Sequence, residues 1–355
     1  MSRIPLILDV DTGVDDSLAI LYACASPEVE LLAVTCVAGN VPARQVAANS
    51  LAVLELAGRT DVPVVLGAEQ PLVRTLVTAE DTHGPQGLGH AVLPPATRSL
   101  EPGHAADHLA RLIRGRAGEI LLVTLGPLTN LALALEREPA LPTLLRGYAL
   151  MGGAYRVPGN TTPTTEWNIH VDPDAAKAVF AAWAKASDPA RPAAVARPLA
   201  MGLDVTELKA FVPADLARLG MRAGCSHVEV AALGSGPDAD DRPEVESPIV
   251  RFVADALRFY FEFHVANDGF YGAYIHDPFA VAAALDRALV RTQPVFVDVE
   301  AGPGLASGMA VTDWRGLTRR PPNLDVAIDG DTPVFIDRLI ERIGGLAADV
   351  SGVAR

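Results

Sequence analysis

Four aspartates lie close together near the start of the chain, directly after a short apolar segment. The apolar segment, residues 4–8, is typical of a buried strand. It is followed by a first pair of acids, Asp9 and Asp11, and by a second pair, Asp15 and Asp16. A glycine turn separates the pairs, and the apolar residues after the second pair predict a helix. Because open α/β sheets bind ligands at the carboxyl ends of their strands, we expect these carboxylates to belong to a binding or catalytic site.

The charge of this acidic segment has no local compensation, because no lysine or arginine lies between Arg3 and Arg44. Like charges at such short range repel, so either some carboxyl groups hold a proton or a cation lies among them. A ligand set of oxygen atoms alone favours a hard metal ion, Ca²⁺ or Mg²⁺, over zinc. The alternative is that Asp15 and Asp16 only cap a helix and interact with its positive end, but this leaves the first pair unexplained.

Strand-like and helix-like segments alternate along the chain. The sequence predicts strands at residues 4–8, 29–37, 62–66, 119–125, 148–151, 295–299, 308–314 and 326–328. It predicts helices after Asp16, at residues 42–57, 105–114, 128–137 and 249–264, from Asp277, and at 333–343. This alternation, with its short connections, predicts an α/β fold with a mostly parallel, Rossmann-like open sheet, helices on both faces and an active site at the carboxyl ends of the strands.

Residues 1–355 are predicted to form a single domain, because the pattern contains no repeat and no clear linker. Two segments interrupt the alternation. Residues 187–198 are rich in proline, alanine and arginine and predict a surface connection, and residues 224–248 predict an exposed loop insertion. Residues 74–95 show little periodicity and predict a loop, with His83 near its centre.

Composition limits the partners and the location of the protein. A net charge of −14 argues against a nucleic-acid partner, because phosphate binding needs a basic surface. The three cysteines lack CxxC spacing, which indicates buried thiols in a reducing compartment and not disulfides or a zinc site. No uncharged apolar segment reaches the ~18 residues needed to span a membrane, and the amino terminus is not typical of a signal peptide. These features predict a cytoplasmic protein that binds neither nucleic acid nor membranes.

Further polar residues follow the later strands, so the same edge of the sheet is expected to collect them. They are Asn40, the turn that begins at Leu125, Asn160, and the Glu166-Trp167-Asn168 segment. The His276-Asp277-Pro278 sequence leaves two interpretations open. An aspartate followed by proline is a good helix start. The same aspartate could also ligate a metal, with the histidine as a nearby acid.

Together these motifs resemble the inosine–uridine-preferring nucleoside hydrolases. The resemblance is carried by DVDTGVDD at 9–16, AGN at 38–40, LGPLTN at 125–130, GN at 159–160, EWN at 166–168 and HDP at 276–278. It extends from the first strand to the closing helix, and the D-x-D-x-x-x-D-D element is its most specific part. It implies calcium-dependent hydrolysis of the N-glycosidic bond of ribonucleosides, giving ribose and free base, by a homodimer or homotetramer.

The resemblance also implies roles for individual residues. The calcium ligands would be Asp11, Asp16, Asp277 and the backbone carbonyl of Leu125, with Asp9 as a support behind them. Asp11 would also be the base that takes a proton from a calcium-bound water. The residues expected to bind the substrate on its ribose side are Asp15, Asn40, Asn160, Glu166 and Asn168, and His83 completes this substrate-binding set.

On the side of the nucleobase, His276 is predicted to donate a proton to the leaving base, and Tyr271 or Tyr274 to share that role. An imidazole has a reference pKa near ~6.5, which suits proton donation close to neutral pH. The alternative is a histidine that only packs at a helix start. Relatives with histidine before this aspartate generally accept pyrimidine nucleosides or a mixture, so uridine, cytidine or inosine is the expected substrate.

Two other functions compete with nucleoside hydrolysis. A haloacid-dehalogenase-type phosphatase also begins with an apolar strand and D-x-D, but it needs Thr or Val two residues after the second aspartate, where this chain has Gly13. A non-catalytic calcium-dependent nucleoside-binding protein would keep the metal ligands without needing a base or an acid beside the ribose. Release of free base from a nucleoside, compared with release of phosphate from a phosphomonoester, distinguishes these functions.

Overall fold

The acidic segment follows a strand in the interior of a nine-stranded sheet. The computed structural model describes residues 3–187, 195–226 and 245–352, and every count of strands or helices refers to those residues. The strands are β1 (Ile4–Val10), β2 (Val29–Cys36), β3 (Val64–Leu66), β4 (Leu121–Thr124), β5 (Gly147–Met151), β6 (Leu199–Met201), β7 (Val290–Val299), β8 (Ala310–Asp313) and β9 (Leu324–Gly330). Their order across the sheet is β3-β2-β1-β4-β5-β6-β9-β7-β8.

The direction of the strands divides the sheet into two parts. Strands β1 to β6 and β9 pair in parallel, whereas β7 is antiparallel to β9 and β8 is antiparallel to β7. The prediction of a mostly parallel sheet is therefore confirmed, with an antiparallel edge that the sequence did not predict. Asp9, Asp11, Asn40 and Leu125 lie in or directly after strands of the parallel part, whereas His276 and Asp277 begin a helix that follows another helix.

The helices connect and cover these strands. They are α1 (Val14–Cys24), α2 (Ala43–Leu56), α3 (Glu80–His83), α4 (Ala105–Gly115), α5 (Thr129–Arg137), α6 (Leu141–Leu144), α7 (Trp167–Val171), α8 (Pro173–Ala186), α9 (Leu203–Thr206), α10 (Pro213–Arg222), α11 (Pro248–Asp268), α12 (His276–Leu285) and α13 (Thr332–Ser351). Among the described residues, no helix combines the length and the apolar character that crossing a membrane requires.

Alternate residues of β1 contribute to two separate hydrophobic cores, one on each face of the sheet. Leu6 and Leu8 belong to the core that contains residues of α1, α12 and α13, and Ile7 belongs to the core that contains residues of α4, α5 and α8. Successive side chains of a strand point to opposite faces, so this division follows directly from the strand geometry. Helices on both faces, as predicted, explain why β1 is apolar at nearly every position.

Several elements differ from those expected. The segment at residues 74–95, predicted to be a loop, contains the short helix α3, and Pro42 precedes α2 as its cap. The sequence pattern missed the short strand β6, the alanine-rich helix α8 and the helix α10. Most of two predicted segments, residues 188–194 of the surface connection and 227–244 of the loop insertion, lie outside the described residues.

Candidate active site

The site forms where the direction of the chain across the sheet reverses. Strands β2 and β4 lie on opposite sides of β1, so the loops after them diverge and leave a crevice at the carboxyl end of β1. Such a switch point is where open α/β sheets bind ligands. Asp9 pairs with Thr35 of β2 and with Thr124 of β4, and its carbonyl accepts a 2.7 Å hydrogen bond from the amide of Leu125.

Asp11 is held by the two loops beside it. Its Oδ2 accepts a 2.9 Å hydrogen bond from the amide of Asn40, and its buried Oδ1 has no hydrogen-bond partner among the described residues. A Cβ on Gly39 would lie 2.1 Å from Oδ2, and one on Gly126 would lie 2.8 Å from Oδ1. The two glycines therefore provide the space that the Asp11 carboxylate occupies.

Asp16 lies in the first turn of α1 and binds backbone amides at the start of that helix. Its Oδ1 accepts a 3.2 Å hydrogen bond from the amide of Asp11, and its Oδ2 accepts bonds from the Gly13 amide (2.8 Å) and from Asn40 Nδ2 (3.2 Å). The capping interpretation is thus correct for the local contacts of Asp16. It does not account for Asp15, whose carboxyl group faces the backbone of His276 and Asp277 at the start of α12.

Three buried carboxylates converge at this point. Asp15, Asp16 and Asp277 each offer an oxygen atom, and these atoms lie within 4.8 Å of one another. Helices α1 and α12 pack against each other and bring the residues together across the length of the chain. Asp11, expected among the metal ligands, adjoins this group through its contact with Asp16. Asp15, expected on the ribose side, is a member of the group.

The electrostatics of this cluster favour a bound cation. Burial, followed by repulsion from Asp16, raises the pKa of Asp15 to about 8. Burial and repulsion from Asp16 raise the pKa of Asp11 well above its ordinary value. Burial and repulsion from Asp15 raise the pKa of Asp277 in the same way. Burial and mutual repulsion therefore favour the protonated carboxyl groups when no cation is present, and a divalent ion would favour their ionised forms. The donors are oxygen atoms only, as a hard metal ion requires. The residues present therefore fit a metal site.

Asp9 lies behind the cluster and does not belong to it. Its Oδ1 accepts hydrogen bonds from Thr35 Oγ1 (2.5 Å) and Asn130 Nδ2 (2.9 Å), and burial raises its pKa to about 7. Asn130 also donates to the carbonyl of Cys36 and accepts from the amide of Ala68. Asp9 and Asn130 together join the loops after β1 and β2 to α5, which agrees with the supporting role expected for Asp9.

A second set of polar side chains joins the ends of β4 and β5 to α7. Glu166 caps α7, and its two carboxylate oxygens accept bonds from the amides of Gly153 (2.8 Å), Asn168 (2.8 Å) and Ile169 (3.1 Å). Burial raises the pKa of Glu166. Asn160 Oδ1 accepts a 3.1 Å bond from the amide of Trp167, which ties the preceding loop to the same helix.

The amide group of Asn168 is committed to the protein backbone. Its Nδ2 donates to the carbonyls of Leu125 (2.6 Å) and Met151 (3.2 Å). Since an amide nitrogen has only two hydrogens, its Oδ1 is the atom left for a ligand. The carbonyl of Leu125 keeps one further lone pair, which a metal ion could use.

The two predicted histidines also line the site. His83 Nδ1 accepts a 3.2 Å bond from the amide of Val14, and His276 Nδ1 lies 2.8 Å from Thr206 Oγ1. Burial lowers the pKa of each to about 3, which favours neutral rings in the metal-free chain. The short helix α3, unexpected from the sequence, brings His83 into this position.

A cavity of about 610 Å³ collects most of the predicted residues. On the side of the strand ends it is lined by Asp15, Asn40, Asn160, Glu166 and Asn168. Its lining also includes His83, Leu125, Tyr274, His276 and Asp277. Asp11 and Asp16 lie fully buried beneath it.

Tyr271, which was expected to bind substrate, does not line this cavity. It packs edge-on against Phe261 with ring centroids 5.2 Å apart. The neighbouring Ala273 forms a bridge with Phe211 that fixes the loop, so Tyr271 and Tyr274 face different surroundings. Of the two tyrosines, only Tyr274 is positioned to meet a ligand.

Sequence reasoning missed part of the cavity wall. The wall also contains Glu207 and, from the carboxyl end of α11, His264 and Asp268. Burial, followed by repulsion from Asp268, raises the pKa of Glu207 to about 7. The spacing of His264 and Asp268 by four residues in a helix was the one available signal, since it predicts a side-chain pair. No sequence signal pointed to Glu207.

Comparison with known proteins agrees with this geometry. Residues 6–337 match the family model described as inosine-uridine preferring nucleoside hydrolase. The chain is 36% identical over 342 residues to the pyrimidine-specific ribonucleoside hydrolase RihA of Salmonella paratyphi B, covering 96% of this chain and 98% of that protein. The purine-preferring ribonucleoside hydrolase from Gardnerella vaginalis has a TM-score of 0.83 and 30% identity, covering 97% of this chain and 99% of that one. The plant nucleoside hydrolase PpNRh1 has a TM-score of 0.81 and 30% identity, and the match covers 96% of this chain and 99% of that one. The chain therefore belongs to the inosine-uridine preferring nucleoside hydrolases.

Proposed function

We propose that this chain is a calcium-dependent ribonucleoside N-glycosidase that converts a nucleoside and water into ribose and free base. Hydrolysis of ribonucleosides is the activity of its family. The observation that carries the proposal is the buried carboxylate cluster, which opens into a cavity lined by groups suited to a sugar. A phosphatase is no longer a competing explanation, because the family match covers residues 6–337.

The metal would be held by Asp11, Asp16, Asp277 and the carbonyl of Leu125. The unpartnered Oδ1 of Asp11 and the close approach of Asp16 to Asp277 support this ligand set. Asp15 lies at the cavity surface, where it can hold a ribose hydroxyl beside the metal. Carboxylate and carbonyl oxygens without nitrogen or sulfur favour calcium, with expected metal–oxygen distances of ~2.3–2.6 Å against ~2.0–2.1 Å for magnesium.

Asp11 is the proposed general base. When bound, the calcium ion supplies positive charge that ionises the cluster and lowers the pKa of the attacking water. Asp11 accepts a proton from that water, and the bond from the Asn40 amide to its Oδ2 keeps the other oxygen, Oδ1, in place. Because the loops beside it leave no free space, the carboxylate is preorganised for this transfer.

The residues around the ribose are proposed to hold its hydroxyl groups and to favour positive charge on the ring. Asn40 Oδ1 is buried and lacks a partner among the described residues, which suits a hydroxyl donor. A carboxylate has about four acceptor sites, and Glu166 uses three of them for backbone amides. Its negative charge still lies beside the sugar, where an oxocarbenium-like transition state would be stabilised.

His276 is proposed to donate a proton to the leaving base, with Tyr274 beside it at a ring distance of 6.4 Å. Burial favours the neutral imidazole in the metal-free chain, and the ring is proposed to gain its second proton when the nucleoside binds. The similarity to a pyrimidine-specific relative supports uridine and cytidine as substrates, and the purine-preferring structure keeps inosine among them.

The decisive experiment is the release of ribose and free base from a panel of purine and pyrimidine nucleosides, with and without calcium. We expect hydrolysis of uridine, cytidine or inosine, loss of activity on chelation and recovery with Ca²⁺. Binding of nucleosides without ribose release would identify a binding protein instead. A cytoplasmic homodimer or homotetramer is also proposed, from the family resemblance, and light scattering that finds only a 37.2 kDa species would contradict the assembly.

A further inference from the structure

Asp172 is a buried carboxylate that does not line the cavity. It lies between α7 and α8, is 0% exposed, and forms no salt bridge with any other described residue. Its Oδ1 accepts a 3.0 Å hydrogen bond from the amide of Ala175, and its Oδ2 accepts bonds from the amide of Leu72 (2.9 Å) and from Thr129 Oγ1 (2.6 Å). Burying a charge without a cation costs free energy, so this carboxylate depends on each of its hydrogen-bond donors.

The bond from Thr129 differs from the other two in what it connects. The amide of Ala175 belongs to α8, which Asp172 caps, and the amide of Leu72 belongs to a loop. Thr129 is the buried first residue of α5, so its hydroxyl joins Asp172 to the turn that follows β4. A hydroxyl that donates to a carboxylate oxygen at 2.6 Å is a strong hydrogen bond.

A second bond joins the same two segments of the chain at the cavity. Asn168 Nδ2 donates to the carbonyl of Leu125 at 2.6 Å. Thr129 comes four residues after Leu125, and Asp172 comes four residues after Asn168. The Thr129–Asp172 bond therefore lies behind the Asn168–Leu125 bond. A single bond would let α7 rotate relative to the turn after β4, whereas two bonds fix its angle.

We propose that Thr129 is a positioning residue that, through Asp172, holds Asn168 against the carbonyl of Leu125. The inference rests on the function proposed above, in which the Leu125 carbonyl binds calcium and Asn168 Oδ1 binds a ribose hydroxyl. Without the Thr129 bond, α7 can turn, and both oxygens move away from their ligands. Residues that orient ligand-binding groups in this way contribute about 10–100-fold to metal affinity or activity.

The test compares two substitutions of Thr129. Thr129→Val keeps the shape of the side chain and removes the hydroxyl, whereas Thr129→Ser keeps the hydroxyl. The measurements are kcat/KM for ribose release from uridine and, independently of catalysis, the Kd for Ca²⁺ by calorimetry. We expect Thr129→Val to weaken both by about 10–100-fold and Thr129→Ser to stay within about threefold of the unmodified enzyme. Equal effects of the two substitutions would overturn the proposal.

A double variant tests whether Thr129 acts through Asn168. Once the Asn168 side chain is removed by Asn168→Ala, Thr129 has nothing left to position. Adding Thr129→Val to Asn168→Ala should therefore change kcat/KM and the calcium Kd by less than about twofold. If the losses of the two single variants simply multiply, Thr129 acts independently of Asn168 and the proposal is overturned.

Ser26→Ala is the matched control for loss of a buried hydroxyl. Ser26 lies between α1 and β2, at the opposite end of the sheet from the site, and its Oγ donates a 2.6 Å bond to the carbonyl of Tyr22. This variant should lower Tm but leave kcat/KM and the calcium Kd unchanged. Losses in Ser26→Ala as large as those in Thr129→Val would show general destabilisation and overturn the proposal. If the unmodified enzyme releases no ribose, the proposed function is contradicted, and the calcium Kd of the variants still decides the role of Thr129.

Discussion

Replacement of Gly39 by alanine tests the position of Asp11 without removing a chemical group. A Cβ at residue 39 would lie 2.1 Å from Asp11 Oδ2 and 2.9 Å from Pro127 Cδ, whereas real Cβ contacts essentially never fall under 3.0 Å. Asp11 is fully buried, and Pro127 blocks movement of the loop to the other side. The carboxylate must therefore move by about 1 Å and stretch or lose its 2.9 Å bond to the Asn40 amide.

The displacement determines the expected magnitude. A misplacement of about 1 Å in a group that must meet its reactant at a fixed distance costs about 10²-fold in rate. The added methyl group also overpacks a close contact, so the free energy of unfolding should fall by about 1–3 kcal/mol. Gly39→Ala is thus expected to lose about 10²-fold in kcat on uridine while it stays folded at 25 °C.

The assay is ribose release from uridine at saturating calcium, with circular dichroism to confirm the fold. Gly115→Ala is the control, because a Cβ there meets no atom within 4 Å and the residue ends α4 at the surface. Alanine is the better helix former, so this variant should keep full activity and stability. If folded Gly39→Ala hydrolyses uridine within about threefold of the unmodified enzyme, the position of Asp11 is not critical and its role as base is refuted.

Three further predictions test the metal site and the two proton transfers. Asp11→Asn should remain folded but lose about 10²–10⁴-fold in kcat, measured by ribose release, and a loss below about threefold would remove Asp11 as the base. His276→Ala should lose about 10²–10⁴-fold on uridine but little on p-nitrophenyl riboside, whose leaving group needs no proton, and equal losses would show a structural role. In the metal-free folded chain the pKa of Asp15 is raised from 3.8 to about 8. Between these two pH values the folded chain therefore holds a proton that the unfolded chain has released. Tm in a chelator should therefore fall as the pH rises from about 4 to 8. Calcium should raise Tm more at pH 8 than at pH 5, and an equal increase at both would contradict an ionisable cluster as the site.

The local structure of the acidic segment could be predicted from the sequence, because it depends on neighbouring residues. An apolar strand, a glycine turn and two acids at a helix start determine β1, α1 and the capping contacts of Asp16. The order of strand-like and helix-like segments likewise predicted a mostly parallel sheet. The motifs along the chain identified the family, and its model matches residues 6–337.

The tertiary structure decided which of these residues meet. Asp277 joins Asp15 and Asp16 only because α12 packs on α1, and no local pattern specifies a contact between helices so distant in the chain. Packing also directed Tyr274 to the cavity and Tyr271 to the hydrophobic core, although both belong to one short loop.

The same limit applies to another part of the cavity wall. His264, Asp268 and Glu207 belong to no motif, and their chemistry depends on burial, on neighbouring rings and on which nitrogen a carboxylate engages. Over a few residues, chain geometry limits the possible conformations. The sequence alone therefore specifies local hydrogen bonds and the periodicity of helices and strands. Side chains become buried, and distant side chains approach one another, only when the helices pack on the sheet. Burial and these contacts determine the pKa values of the site and which of its polar atoms lack a hydrogen-bond partner.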